Sequence, residues 1–258
     1  MTTETLRQRL ADHPWAEHIT VLDTVDSTNT YAKKLAANGA PHGTCVLAHA
    51  QTAGRGRLGR SFYSPAGEGL YLSLILRPDA PPEQYLHLTA MAAVAAREAL
   101  EEVCGIKPQI KWPNDLVIGT RKLAGILCER TDAVIIGIGI NLAQTEFPAE
   151  LKHIATSVLM ASGKIPDRIA LAAALIRAFS RMDAALFSGK PTWMQKFSEN
   201  CVTLGKSVQL SRGETVRDAF AERITENGAL IVRFADGNRE EISSGEVSVR
   251  GFYGCENA

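Results

Sequence analysis

Neither a CxxC pair nor an HExxH motif occurs in this 258-residue chain, and its five cysteines, Cys45, Cys104, Cys128, Cys201 and Cys255, are scattered and odd in number. That argues against a disulfide framework or a zinc site and fits a reducing cytoplasm. Net charge is lacking too. The 28 Lys plus Arg balance 28 Asp plus Glu, so no overall excess draws the chain to nucleic acid or to a membrane surface. No apolar span reaches the roughly 20 uncharged residues of a bilayer crossing, and the N-terminus has no apolar export signal. Repeats and low-complexity tracts are absent as well. What remains is an ordinary globular composition, 45% hydrophobic and 22% charged, long enough for one large domain or a large and a small one.

One absence is local. Between Asp26 and Glu68 there is no acidic residue, yet this stretch holds Lys33, Lys34, Arg55, Arg57 and Arg60. At its centre, Gln51-Thr-Ala-Gly54-Arg55-Gly56-Arg57-Leu-Gly59-Arg60 alternates glycine with arginine between two strand-like runs, 44–50 and 70–76. Glycine permits the close backbone approach of an anion-binding loop, and arginine offers planar forks that pair with phosphate or carboxylate. No Gly-Lys-Ser/Thr ends the loop, so it is not a Walker A. Phe62, Tyr63 and Pro65 follow Gly54-x-Gly56-x-x-Gly59 where a dinucleotide fingerprint needs a helix. On its own the loop fits an anionic ligand, a nucleic-acid contact or a solvated turn.

Taken in order, residues 1–16 read as a short helix ended by His13-Pro14. A strand at 19–22 leads through Asp26-Ser27-Thr28-Asn29 into a helix that stops at Asn38-Gly39, with Ser27 or Thr28 as its N-cap. Capping alone explains these hydroxyls; so does a helix N-terminus that holds a ligand's polar head. After strand 70–76 a long alanine-rich helix is expected from Glu83 to Cys104, closed by Gly105. Residues 110–127, Ile-Lys111-Trp-Pro-Asn114-Asp115 through Arg121-Lys122-Leu-Ala-Gly125-Ile-Leu, read as strand, polar bend, strand, tight turn at Gly119, strand. Lys111 and Asp115 either face water in a charged hairpin or serve phosphate neutralisation and amine or Mg²⁺ orientation. Strand 133–142 carries Gly137 and Gly139 and ends at Asn141; such glycines mark close approach by a ligand or a neighbouring backbone. Residues 143–164 read as loop, followed by helices from Pro166-Asp167 and Pro191. After Cys201, five short strands near 206–211, 215–226, 229–234, 239–243 and 246–250, separated by Gly-containing turns, describe a small all-β barrel of about 50 residues.

Five stretches, Asp26-Ser-Thr-Asn29, Gln51–Arg60, Lys111–Asp115, Arg121–Leu127 and Gly137–Asn141, resemble in order and spacing those of biotin protein ligases, and the likeness runs from about residue 19 to 251. It implies an α/β (α+β) catalytic domain with a mixed sheet, of the class II aminoacyl-tRNA synthetase and lipoyl ligase type, over 1–201. It also implies a C-terminal SH3-like β-barrel over 202–258. The implied reaction joins biotin and Mg²⁺-bound ATP into biotinyl-5′-AMP, then passes biotin to a lysine of a biotin carboxyl carrier domain, as in biotin–[acetyl-CoA-carboxylase] ligases. The resemblance puts Ser27, Thr28, Asn29, Gln51, Gly54, Gly56, Gly125, Gly137 and Gly139 around biotin. Arg55 and Arg57 close over its carboxylate and the phosphate, and Lys122 sits at their junction. Arg60, Phe62, Lys111, Asn114, Asn141 and Arg250 are assigned to ATP, Lys111 and Asp115 to catalysis, and Asp115 also to a metal. The implied protein is cytoplasmic, a monomer or homodimer, and of the monofunctional type without an N-terminal DNA-binding head, so neither DNA nor membrane is expected as a partner. Phe62 departs from the tryptophan of several relatives. The Gly/Arg loop is expected to be disordered alone and closed with biotin. Sister readings are a lipoyl or octanoyl ligase, and, outside the enzymes, a biotin sensor or a nucleic-acid-binding module.

Overall fold

A computed structural model describes residues 1–212, 215–243 and 246–249. Seven strands form one mixed sheet in the order β1-β2-β3-β7-β6-β5-β4: β1 Ile19–Val25, β2 Thr44–Gln51, β3 Gly69–Leu76, β4 Gln109–Lys111, β5 Asp115–Ile118, β6 Arg121–Arg130 and β7 Val134–Asn141. Only β1 and β2 run parallel; the other neighbours are antiparallel. The parallel pair needs a crossover, and α2 (Thr28–Ala37) supplies it.

Alternation along the strands decides which face each helix covers. Leu70, Leu72, Leu74 and Leu76 of β3 and Ile136, Ile138 and Ile140 of β7 point into the main core, beneath α3 (Leu88–Cys104) and α5 (Arg168–Ala184). On the opposite face, Val46, Ile75 and Ile135 meet Ala32 and Ala36 of α2. That helix covers only part of the face, and the part left open carries the polar and glycine positions.

Local chemistry fixes the ends. Thr2 and Thr5 form a reciprocal capping box on α1 (Thr3–Arg9), which buries Leu6. Ser27 is the N-cap of α2, accepting from Thr30 N, and Asp167 caps α5 through Ile169 N and Ala170 N. Gly105 ends α3 in the left-handed conformation, φ 66°. The long helix expected from Glu83 begins later. Residues 82–85 form a separate single-turn helix and His87 stands at the N-cap of α3. The stretch 143–164 is not all loop, because Ser157 caps a short helix, α4 (Val158–Ser162). The last helix, α6, spans Lys190–Glu199.

The five C-terminal strands fall where the turns place them: β8 Ser207–Arg212, β9 Thr215–Ile224, β10 Leu230–Arg233, β11 Arg239–Ile242 and β12 Glu246–Val249. They form one antiparallel sheet in the order β11-β10-β9-β8-β12. Among the described residues β11 and β12 are its edges, so the barrel closure expected from the sequence is not among the pairings seen.

This second sheet shares the main core, through residues such as Val208, Ala221 and Val232. It is also tied to the bend after β4, where Trp112 Nε1 donates to Gly228 O at 2.8 Å and Trp112 N to Thr203 Oγ1 at 3.0 Å. Trp112→Phe leaves that carbonyl without its indole donor and, because phenyl is smaller than indole, opens a small cavity in the core. It is expected to lower stability by about 1–2 kcal/mol, read from urea unfolding with Trp15 and Trp193 as the remaining fluorophores.

Candidate active site

The open part of the sheet face is a trough made by strand register. One row runs Val46, Ser73, Gly137, Leu127 across β2, β3, β7 and β6. The next runs Ala48, Tyr71, Gly139, Gly125, Asp115, Lys111 across six strands. Glycine at three of these places deepens the face. A Cβ on Gly137 would fall within 3.0 Å of the Asn29 amide, and one on Gly139 within 3.0 Å of the Phe62 ring. Two side chains from other segments, rather than a neighbouring backbone, approach these glycines. Gly125 leaves room for the Lys122 ammonium, which would lie 3.0 Å from an added Cβ.

At one end of the trough the N-terminus of α2 presents Thr28 and Asn29, both buried. Gln51 Oε1 accepts from Thr28 N at 2.8 Å, and Gln51 Nε2 donates to Ser64 Oγ at 2.9 Å. Ser73 Oγ lies 2.6 Å from Asn29 Oδ1 and 2.8 Å from Thr28 Oγ1. A carboxamide oxygen only accepts, so the Ser73 proton goes to Asn29, and the single Thr28 hydroxyl proton is shared between Ser73 Oγ and Gln51 Oε1, the latter 3.1 Å away. Asn29 Nδ2 in turn donates to Leu127 O and to the Glu129 carboxylate, at 3.2 and 2.9 Å. The polar end is thus a network in which the Asn29 amide has one orientation, set by acceptors at its Nδ2 and a donor at its Oδ1.

Over the trough lies the Gly/Arg loop, and it is a finger with bonds of its own. Gln51 N to Ser64 O, Phe62 N to Gly54 O and Gly56 N to Arg60 O zip its stem, and the turn at Arg57–Gly59 puts Leu58 at φ 55° and Gly59 at φ 76°. Gly54 serves this stem, since a Cβ there would meet Phe62 O and Ser64 Oγ. Arg55 pairs with Glu129 at 3.2 Å and Arg57 Nη1 lies 3.4 Å from Asn114 Oδ1. Asn114 also clips the bend to β6 through Ile126 N and O, at 2.9 and 2.7 Å.

The far end holds the charges. Lys122 Nζ lies 2.7 Å from Asp115 Oδ1 and 6.0 Å from the centre of the Phe62 ring. Main-chain bonds with Ile154 O and Thr156 N hold Lys122 from β6's other side, at 2.8 and 2.9 Å. Lys111 is only 6% exposed, so the water-facing hairpin does not describe it. Val247 of β12 reaches the same cleft.

Fixed cations above, amide and hydroxyl groups at one end and an ammonium at the other suit an elongated ligand with a polar head and an anionic tail. Residues 21–141 match the Biotin/lipoate A/B protein ligase family, and residues 203–250 match the Biotin protein ligase C terminal domain. The biotin–[acetyl-CoA-carboxylase] ligase of Paracoccus denitrificans is 35% identical over 239 residues, covering 88% of this chain and 98% of that protein. The chain belongs to the biotin protein ligase family.

A solved biotin protein ligase from Aquifex aeolicus, in complex with biotin and ATP, superposes with a TM-score of 0.79 at 34% identity, over 90% of this chain and 98% of that one. The bifunctional ligase/repressor BirA of Bacillus subtilis is 44% identical over 184 residues, and the match spans 57% of its length. Of the residues that the biotin protein ligase resemblance singled out, the cleft gathers Ser27, Thr28, Asn29 and Gln51, the loop's Arg55, Gly56, Arg57, Arg60 and Phe62, and Lys111, Asn114, Asp115, Lys122, Gly125, Gly137 and Gly139. It does not gather Asn141, whose amide donates to Thr156 O at 3.0 Å and whose carbonyl faces Gln144. Arg250 lies outside the described residues.

Two residues of this biotin protein ligase site escaped the reading of the sequence. Ser73 is the one serine in an apolar strand, and Glu129 shares the phase of Gly125 and Leu127 on β6; both signals were present. Burial by itself would raise the Glu129 carboxyl. Hydrogen bonds from Lys33 and Asn29, with the charges of Lys33 and Arg55, outweigh burial and hold it below the usual carboxylate range.

Proposed function

We propose that this chain is an ATP-dependent biotin protein ligase, which makes biotinyl-5′-AMP and transfers biotin to a lysine of a biotin carboxyl carrier domain. The observation that carries this reading, alongside the family, is the meeting in one cleft of side chains from all five sequence motifs. Residues 1–201 would form the catalytic domain and 202–258 the C-terminal one. The compartment is the cytoplasm, and no helix among the described residues is long and apolar enough to cross a membrane.

Biotin's ring lies at the α2 end, against Ser27, Thr28 and the network that holds Asn29 and Gln51. Its carboxylate must approach an α-phosphate, which brings two anions together. Arg55 and Arg57 neutralise that approach from the loop, Arg60 and Lys111 take other phosphate oxygens, and Lys122 stabilises the carboxyl–phosphate junction as the phosphorus–oxygen bond forms and pyrophosphate leaves. In the second step the carrier lysine's neutral amine attacks the acyl carbon, the acyl–phosphate bond breaks, and AMP departs; Asp115 orients the incoming amine. No group of three His, Cys, Asp or Glu side chains suited to a metal ion exists among the described residues, and Asp115 pairs with Lys122. Mg²⁺ would enter on the phosphates of its substrate ATP, with Asp115 the cleft carboxylate that would face it. Phe62 forms part of the cleft wall through its contact with Gly139.

The test is biotin-dependent pyrophosphate release from ATP, with and without a carrier domain, followed by mass spectrometry of the carrier. Release that needs biotin, and a single biotin mass on the carrier lysine, are expected. Turnover with lipoate and none with biotin would reassign the chain to the sister activity, and silence with both would leave a binding protein.

A further inference from the structure

Glu129 is a charged residue at the open face of β6, with its side chain 17% exposed. One carboxylate there serves three groups. Oε1 accepts from Lys33 Nζ at 2.5 Å and from Arg55 Nη2 at 3.2 Å, while Oε2 accepts from Asn29 Nδ2 at 2.9 Å. Arg55 belongs to the loop over the cleft and Asn29 to the polar end beneath it, so Glu129 joins the lid of the cleft to its floor.

We propose that Glu129 is the positioning residue of this site: it holds the Arg55 guanidinium above the trough and the Asn29 amide below it, and thereby sets the affinity for the carboxylate-bearing substrate. This rests on the ligase reading of the cleft. A guanidinium has five donors in a fixed fork. Engagement through Nη2 fixes its plane without exhausting it, so the remaining donors face a ligand anion already oriented. An arginine side chain that is 47% exposed would otherwise lose rotamer freedom on every binding event. The charge matters as well as the shape. Two cations, Lys33 and Arg55, share one carboxylate, which keeps them together at the site's edge and leaves an excess of positive charge for the substrate's carboxylate to meet.

Glu129→Gln keeps the size and one acceptor oxygen but removes the charge and turns an amide toward two cations. The KM for biotin is expected to rise about 10- to 100-fold, with smaller changes in kcat and in the KM for ATP, because Arg55 also faces the phosphate. Trypsin is expected to cut at Arg55 faster in the ligand-free variant than in the parent protein. A cycle with Arg55→Gln separates positioning from general weakening: the loss in the double variant should fall short of the sum of the two single losses, because Glu129 acts through that arginine as well as through Asn29. Additive losses, or an unchanged biotin KM with an unchanged tryptic rate, would overturn the proposal. The tryptic comparison needs no turnover. If the parent protein fails to make an adenylate from biotin, the ligase reading falls, while the tie between Glu129 and the loop is still read from the cleavage rates.

Discussion

Lys122→Ala is expected to reduce biotinyl-5′-AMP formation by at least about 100-fold, with the loss in kcat and little change in the KM for biotin. The reason lies in where the ammonium sits. It is held 2.7 Å from Asp115, in the space that Gly125 leaves by having no Cβ, and its main-chain N–H and C=O are both bonded to the segment at 154–156. A cation so placed costs no reorganisation when charge develops between carboxylate and phosphate, which is the condition under which a fixed charge accelerates a step instead of merely tightening binding. Single-turnover adenylate formation measures it directly. A rise in the KM for biotin at constant kcat would show that Lys122 only binds the ground state. The melting temperature is expected to fall modestly, since the lysine side chain is only 29% exposed and its loss takes an ion-pair partner from Asp115.

The second large effect is steric. Gly137→Ala adds one methyl group where the Asn29 amide lies. The backbone at Gly137 is not in the left-handed region, so alanine is not strained by its own φ. The harm comes wholly from displacing Asn29, which bonds Ser73, Leu127 O and Glu129 from that place. Overpacking of this kind typically costs 1–3 kcal/mol, and here it falls on a hydrogen-bonded network that shapes the end of the cleft. The biotin affinity is expected to drop by about 100-fold, read by titration calorimetry, with the overall fold intact by circular dichroism. Unaltered affinity would mean that Asn29 plays no part in the ligand's polar end.

Much of the architecture is legible in the sequence because local signals and packing agree. Alternation marks β3 and β7, the Ser27 and Asp167 hydroxyl and carboxylate caps mark helix starts, and Gly turns mark the C-terminal strands. Where they disagree, the reading fails. Glu83 and its neighbours have helical composition, yet Pro81 and Pro82 set a separate turn before α3 begins. The glycines of β7 announced a close approach without saying by what, because Asn29 and Phe62 come from segments far away in the chain. Glu129 was hidden for the same reason: its partners Asn29 and Lys33 lie about a hundred positions away, and only the β6–β7 register reveals that it faces the site. Asn141 ends a glycine-bearing strand, but its amide is consumed by the segment at Thr156.

The long reach of these contacts has a thermodynamic consequence. Asn29 and Glu129 are 100 positions apart, and Trp112 meets Gly228 across 116. A cleft assembled from such distant segments has no counterpart in the unfolded chain, so any ligand it binds favours the native state alone. By mass action a ligand at a hundred times its Kd adds about 2.7 kcal/mol to the free energy of unfolding, which makes the occupancy of the cleft a determinant of how long the whole polypeptide survives.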